Sequence, residues 1–206
     1  MKLGALLFTM SVLLVPVALQ AQDDSVAMTS IRKFRQELDA EYRNPAKSPL
    51  NDEKLRAFTG HSFFPVDLNF RVEAMLTVTD KEPFFKMATS DNRTRNYRQY
   101  GIVEFAVQGK TFKLAVYQSQ RLMGTEEYAD YLFFPFTDLT NGVSSYEAGR
   151  YIDLRIPETG NKIIIDFNQA YNPFCAYSDR YSCPVVPEKN HLDIDVKAGV
   201  SFPGKH

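Results

Sequence analysis

The 206-residue sequence has no tryptophan, only two cysteines and three histidines, and almost no net charge. Its 24 lysine and arginine residues nearly balance 25 aspartate and glutamate residues, which gives a formal net charge of −1. Binding to nucleic acid or to an anionic membrane usually needs a surplus of positive charge, so this balance argues against both partners. The hydrophobic content of 44% is too high for a disordered chain, and we expect a globular protein with a sizeable core.

The sequence also lacks the short motifs that identify common classes of enzyme. It has no glycine-rich phosphate loop, no serine nucleophile elbow and no His-Glu-x-x-His metal motif. Strands do not alternate with helices of ten or more residues, which argues against a parallel α/β sheet. These absences leave a reaction undefined, and they identify neither a cofactor nor a metal.

Residues 1–21 have the pattern of a secretory signal peptide. A positive charge at Lys2 precedes an apolar run over residues 4–19, and Pro16 interrupts the run near its end. The run is somewhat shorter than the roughly 20 apolar residues of a membrane-spanning helix. We therefore predict cleavage after Ala21, export to the periplasm or the extracellular medium, and no membrane association afterwards. An uncleaved membrane anchor is the alternative.

Residues 22–60 are predicted to be helical. Apolar side chains recur at helical spacing before Asn44-Pro45, which ends the helix; they are Ile31, Phe34, Leu38 and Tyr42. A second, short helix is predicted to begin at Ser48-Pro49 or Asn51 and to end before Gly60.

Residues 61–206 are predicted to form strands. The clearest signal is a hairpin in which residues 101–107 and 111–117 are joined by Gln108-Gly109-Lys110. Short connections between strands make neighbours antiparallel. We therefore predict a mainly β fold with a minor α+β character: an antiparallel β-barrel or β-roll of about seven to nine strands. One or two N-terminal helices would pack across one end of a single compact, monomeric domain.

Residues 134–184 are rich in side chains that are costly to bury. Arg150 lies between Tyr146 and Tyr151, and a guanidinium beside aromatic rings could hold a carboxylate or phosphate. The alternative is an internal salt bridge from Arg150 to Asp153 or Asp166.

Asp166 follows three isoleucines at the end of a predicted strand. With Asn168 and Asn172 it could act as a general base or a metal ligand. The alternative is that these side chains cap turns and begin loops, and the same ambiguity applies to Asp138 and Thr140.

Cys175 and Cys183 are the two cysteines, and they are separated by seven residues. In an exported protein, such a pair is first interpreted as a disulfide. One alternative is a metal site with two thiolates, for which His61 and His191 are the further candidate ligands. The other is a catalytic thiol at Cys175.

The same segment resembles the DUF1684 family, found in bacteria and archaea. The resemblance is carried by Asp-Phe-Asn-x-Ala-Tyr-Asn-Pro-x-Cys-Ala-Tyr over residues 166–177, by the Tyr-x-Cys-Pro that follows, and by Tyr-x-x-Gly-Arg-Tyr over residues 146–151. It extends over about residues 31–200. The sequence departs from the family at Val200, where an acidic residue is common, and at His191, where arginine is common. The resemblance implies homology and no known activity; family members without signal peptides also carry the cysteine pair.

Three functions remain open. The first is a small-molecule-binding β domain with a polar and aromatic pocket over residues 138–172, on loops that leave a rigid sheet. Its predicted binding residues are Tyr146, Arg150, Tyr151, Asp166, Asn168, Tyr171 and Asn172. The second is a hydrolase-type enzyme that uses Asp166 or Cys175. The third is a structural or interaction domain without a ligand.

Overall fold

The computed structural model of the protein describes residues 15–79 and 81–202. It contains two helices, α1 (Val15–Arg43) and α2 (Asp52–Ala57), followed by eight strands. The strands are β1 (Arg71–Val78), β2 (Phe85–Ala88), β3 (Thr94–Val107), β4 (Lys110–Ser119), β5 (Tyr131–Asp138), β6 (Arg150–Arg155), β7 (Lys162–Asp166) and β8 (His191–Leu192). Within the described residues, no helix is both long and apolar enough to cross a membrane.

The two helices follow from local sequence signals. Ala27, Ile31 and Tyr42 form a buried stripe on α1, as the apolar spacing predicts. The N-terminus of α2 is capped by Asn51, whose Oδ1 accepts a hydrogen bond from the backbone N–H of Lys54 at 2.8 Å. Of the two starts that the sequence predicts for the second helix, Ser48-Pro49 and Asn51, the structure therefore has the one at Asn51.

The strands form one mostly antiparallel sheet in the order β6-β5-β4-β3-β1-β7, and β2 extends β3. The predicted hairpin joins β3 to β4, with positive φ at Gln108 and Gly109. A short parallel pairing joins β8 to β5. The sheet curls into a nearly closed barrel, so the predicted barrel-like antiparallel β fold with an N-terminal helix is confirmed.

The hydrophobic core has two parts, one on each face of β5. Inside the barrel, Phe134, Phe136 and Phe167 pack with aliphatic side chains from the other strands. On the outer face, Phe133 packs in a second cluster that includes Tyr117, Tyr151 and Val186. The chain beyond β7 covers this outer face, so β5 is buried on both sides and its apolar residues are continuous rather than alternating.

Asn190 fixes the covering chain to the sheet. Its Nδ2 donates hydrogen bonds to the carbonyl oxygens of Ala115 and Pro135, and its Oδ1 accepts one from the backbone N–H of Ala115. A fully buried amide must have such partners to offset the loss of water. Asn190 therefore holds the C-terminal end of the covering segment against β4 and β5.

Candidate functional site

A groove on the protein has a volume of about 790 Å³. It lies between α2, the loop after β5 and the segment over residues 174–180. Its lining includes two basic side chains, a cysteine and three aromatic rings, which belong to Lys54, Arg180, Cys175, Tyr146, Tyr177 and Phe202. Pockets that bind small molecules typically measure about 300–1,000 Å³, so this groove has a suitable size.

Aromatic rings form much of the groove wall. Phe202 lies with its ring centroid 5.6 Å from that of Tyr146 and 6.0 Å from that of Tyr177, both with edge-to-face geometry. The hydroxyl of Tyr177 accepts a hydrogen bond of 3.0 Å from the Nδ2 of Asn172, which is buried. Asn172 therefore contributes by fixing a wall residue.

Cys175 lies in the groove wall, and Cys183 is buried behind it. Both are free thiols, which corrects the predicted disulfide. The two residues are nevertheless adjacent, because the backbone N–H of Cys175 donates to the Cys183 Sγ at 3.2 Å. Cys183 is fixed by backbone contacts with Ser90: its N–H donates to the Ser90 Oγ at 3.2 Å, and its carbonyl oxygen accepts from the Ser90 N–H at 2.9 Å.

The two thiols have opposite electrostatic environments. The pKa of Cys175 is lowered to about 6, first by a hydrogen bond with the Cys183 thiol and then by those with the Ser90 and Tyr146 hydroxyls. The pKa of Cys183 is raised, because its proton is held in that bond and because it is buried. Burial and the neighbouring Cys175 also raise the pKa of Tyr146. These surroundings favour the thiolate form of Cys175 over that of Cys183.

A second pocket of about 480 Å³ adjoins the groove and shares Lys54, Ala176, Tyr177 and Phe202 with it. His61 lines this pocket, and its Nδ1 lies 2.7 Å from the Oδ1 of Asp39. Burial lowers the pKa of His61, although the hydrogen bond with Asp39 opposes this shift. The neutral ring therefore donates its Nδ1–H to the carboxylate, which can only accept.

The sequence did not predict the Asp39–His61 pair, because its members are 22 positions apart and come from different elements. From the sequence, His61 is a candidate only as a metal ligand with the cysteines. Among the described residues, no group of three or more histidine, cysteine or acidic side chains is arranged to hold a metal.

Arg150, which is predicted to hold an anionic group of the ligand, is fully buried away from the groove. Its Nη2 lies 2.8 Å from the Oδ2 of Asp138, and both side chains are 0% exposed. The guanidinium also donates to the carbonyl oxygens of Val196, at 2.7 Å, and Ala198, at 2.5 Å. The ion pair considered as the alternative therefore exists, but its acid is Asp138 rather than Asp153 or Asp166, because Arg150 and Asp138 lie on the paired strands β6 and β5.

Asp166 and Asn168 lie at a turn between β7 and the chain that follows. The Oδ1 of Asp166 accepts from the backbone N–H of Asn168 at 3.0 Å and from its Nδ2 at 2.9 Å. Asn168 in turn exchanges two hydrogen bonds with the backbone of Asp67. These contacts are those of the turn and capping role, the alternative to a base or metal ligand.

Tyr151 and Tyr171 lie on the outer face of the sheet, where their backbones pair. The Tyr151 hydroxyl donates to the carbonyl oxygen of Pro184, and the Tyr171 hydroxyl donates to the Oδ1 of Asp153 at 2.6 Å. Of the seven predicted binding residues, the structure therefore brings Tyr146 to the groove wall and Asn172 behind it. The two other aromatic residues of the wall are Tyr177, which is in the recognised motif, and Phe202, which no sequence signal identifies.

Comparisons with known proteins give a family and a structural relative. A family model described as "Protein of unknown function (DUF1684)" matches residues 56–201. The solution NMR structure of an uncharacterized protein from Haloarcula marismortui is similar, with a TM-score of 0.71 and 36% sequence identity. The similarity covers 90% of this chain and 99% of the archaeal one. No curated protein matches the sequence significantly.

Proposed function

The chain belongs to the DUF1684 family, and from that premise we propose that it binds a small organic molecule in the groove between α2 and residues 174–180. The proposal keeps the predicted binding function and moves the pocket from residues 138–172 to the loop after β5 and the chain beyond Asn172. The observation that carries it is one groove of about 790 Å³ with aromatic walls and the free Cys175 among its lining residues.

The wall chemistry favours a molecule with an apolar, preferably aromatic, body. Tyr146, Tyr177 and Phe202 offer ring faces and edges, which bind such bodies with little loss of conformational entropy. Lys54 and Arg180 also line the groove and can attract an anionic substituent. Acidic residues line it as well, at Glu147 and Asp179, so the charge does not select a strongly anionic ligand.

Protein NMR with two simple probes tests this proposal. We expect p-cresol and phenylacetate at millimolar concentration to shift the backbone amide signals of Tyr146, Ala176 and Tyr177. The variant Val143→Trp should reduce these shifts, because Val143 lines the groove and is 79% exposed, so a larger ring would occupy the space. The matched control is Val78→Trp on β1, where the valine is 47% exposed and outside the groove.

Two outcomes would contradict the binding proposal. One is an absence of amide shifts with both probes. The other is equal shifts in the two tryptophan variants, because the probes would then bind elsewhere on the surface.

A thiol-dependent acyl hydrolase is the second candidate. It is favoured by the lowered pKa of Cys175, since the thiolate is the nucleophilic form of cysteine. Turnover of p-nitrophenyl acetate beyond one equivalent, lost in Cys175→Ser, would support it. A single equivalent of released nitrophenol would show acylation without hydrolysis and would exclude the candidate.

Export through a cleaved signal peptide is part of the proposal. Residues 1–14 lie outside the described residues, and the support comes from the helix that follows. Ala21 and Gln22 are exposed, whereas Asp23 lies 3.7 Å from Arg71 and Ala27 is buried. Cleavage after Ala21 would therefore keep the packed part of α1. N-terminal sequencing of the secreted protein should begin at Gln22, and retention of Met1 would refute cleavage.

A further inference from the structure

We propose that the cysteine pair reduces organic hydroperoxides that enter the groove, with Cys175 as the residue that attacks the peroxide and Cys183 as the one that completes the reaction. The inference rests on the proposed function, because it names the substrate class of the same groove. The structure contains the reduced cysteine pair, and the disulfide between the two residues would form only during the reaction.

The positions of the two thiols divide these roles. Cys175 lines the groove and is partly exposed, so a molecule bound there can reach its sulfur. Cys183 is buried and does not line the groove, yet its sulfur accepts a hydrogen bond of 3.2 Å from the backbone N–H of Cys175. A substrate thus meets Cys175 first, and an oxidised Cys175 meets Cys183 without any movement of distant elements.

The hydrogen-bond donors around Cys175 favour the reactive form of its sulfur. The Cys183 thiol and the Ser90 and Tyr146 hydroxyls lie close enough to Cys175 to lower the pKa of its thiol, which favours the thiolate. Tyr146 lines the groove beside Cys175, and its hydroxyl is the group that would protonate the leaving oxygen of a peroxide bound there. Its raised pKa keeps that hydroxyl protonated.

The reaction balances without a reductant in its first turnover. The Cys175 thiolate attacks the terminal oxygen of the hydroperoxide, so that a sulfur–oxygen bond forms as the oxygen–oxygen bond breaks. The alkoxide that leaves takes a proton from Tyr146, which regains one from water, and the products are an alcohol and the Cys175 sulfenic acid.

The Cys183 sulfur then attacks the sulfenic sulfur, so that a disulfide bond forms as the sulfur–oxygen bond breaks, and the departing hydroxide takes the Cys183 proton to form water. The two thiols have supplied the two electrons that the peroxide gains. A further turnover needs an external dithiol, which dithiothreitol supplies in an assay.

The size and chemistry of the groove select an organic substrate. A volume of about 790 Å³ is far larger than hydrogen peroxide requires, and the aromatic walls can hold an apolar body beside Cys175. Binding of that body would orient the peroxide group for attack, a gain that hydrogen peroxide does not receive.

Intact-mass spectrometry after addition of one equivalent of cumene hydroperoxide tests the proposal. We expect the reduced protein to lose two hydrogen atoms in mass. Cys183→Ser should instead gain one oxygen atom and react with dimedone, a reagent for sulfenic acids. Cys175→Ser should do neither.

The rate should also depend on the groove. We expect cumene hydroperoxide to react at least about tenfold faster than hydrogen peroxide, an advantage that Val143→Trp removes and Val78→Trp keeps. Tyr146→Phe should slow the reaction and raise the midpoint of its pH dependence, because the thiolate loses a donor. This shift in pH would not follow from a merely structural role for Tyr146.

The failure of this inference is distinct from failure of the binding proposal. Reduced protein that stays unmodified, or Cys175→Ser that is oxidised like the wild type, would overturn the peroxide reaction even if p-cresol binds. Equal rates with the two peroxides would overturn the organic substrate class. The NMR shifts alone decide whether the groove binds small molecules.

Discussion

Replacement of Arg150 by methionine should destabilise the protein strongly. The wild-type guanidinium joins Asp138 on β5 to the C-terminal chain, because it also donates to the carbonyl oxygens of Val196, Ala198 and Val200. Methionine has a similar length but no donor. The substitution would leave the Asp138 carboxylate buried beside a thioether and would leave the carbonyl oxygens with fewer partners.

The magnitude follows from the burial of the pair. Both side chains are 0% exposed, so solvent cannot replace the lost contacts. Removal of one partner from a buried ion pair costs roughly 3–5 kcal/mol. In a domain of this size, a loss of 1 kcal/mol lowers Tm by about 2–4 °C, so Tm should fall by about 6–20 °C.

Urea unfolding followed by circular dichroism measures this loss, and the same strand provides a control. Arg155 on β6 forms an ion pair of 2.7 Å with Asp130, but these side chains are 52% and 53% exposed. Surface pairs contribute about 0–1 kcal/mol, so Arg155→Met should unfold almost as the wild type does. In the double variant Arg150→Met with Asp138→Asn, the loss should be smaller than the sum of the two single losses.

A decrease of less than about 1 kcal/mol in the free energy of unfolding of Arg150→Met, which is the range of surface pairs, would refute the strong destabilisation. Equal decreases in the free energy of unfolding for Arg150→Met and Arg155→Met would also refute it, because burial of the ion pair would then have no effect on stability. Additive losses in the double variant would show that Arg150 and Asp138 act separately.

Two further predictions concern a tight backbone contact and the buried histidine. Gly199→Ala should destabilise the protein more than Gly160→Ala does. Both glycines have positive φ. A Cβ added at Gly199 would lie 2.6 Å from the Ala170 carbonyl oxygen, whereas a Cβ added at Gly160 would have no other atom within 4 Å. Positive φ alone costs about 1–2 kcal/mol, and equal losses in urea unfolding would contradict the steric argument. Because the pKa of His61 is lowered in the folded state, its contribution to stability is complete above the unfolded pKa of about 6.5 and is lost as the pH falls towards the folded value. The free energy of unfolding should therefore decrease from pH 7 to pH 5, less so in His61→Phe, and an unchanged pH slope in the variant would refute this role.

Much of the fold could be predicted from local patterns. The β3–β4 hairpin follows from Gln108-Gly109 because positive φ at both positions suits a two-residue turn. Asn51 could be identified as a helix start because a cap acts on the backbone only three residues away. Such features depend on neighbours in the sequence.

The candidate site could be predicted only in part. Tyr146 and Cys175 were recognised from a motif rich in unusual residues, and both line the groove. Arg150 lies in the same region of the sequence and is predicted to contact the ligand, yet it is paired with Asp138 in the interior. Residue type shows that a guanidinium needs a partner, but it does not show whether that partner is a ligand or the protein itself.

The sequence by itself determined the class of the fold, the capped helix and the kinship to DUF1684, since these depend on local propensity and on a contiguous motif. The tertiary structure decided the partner of Arg150, the free state and the different exposure of the two cysteines, and the assembly of the groove from α2, the loop after β5 and Phe202. The physical reason is distance along the chain. Hydrogen bonds, ion pairs and burial depend on positions in space, and residues far apart in sequence reach those positions only when the sheet curls and its outer face is covered.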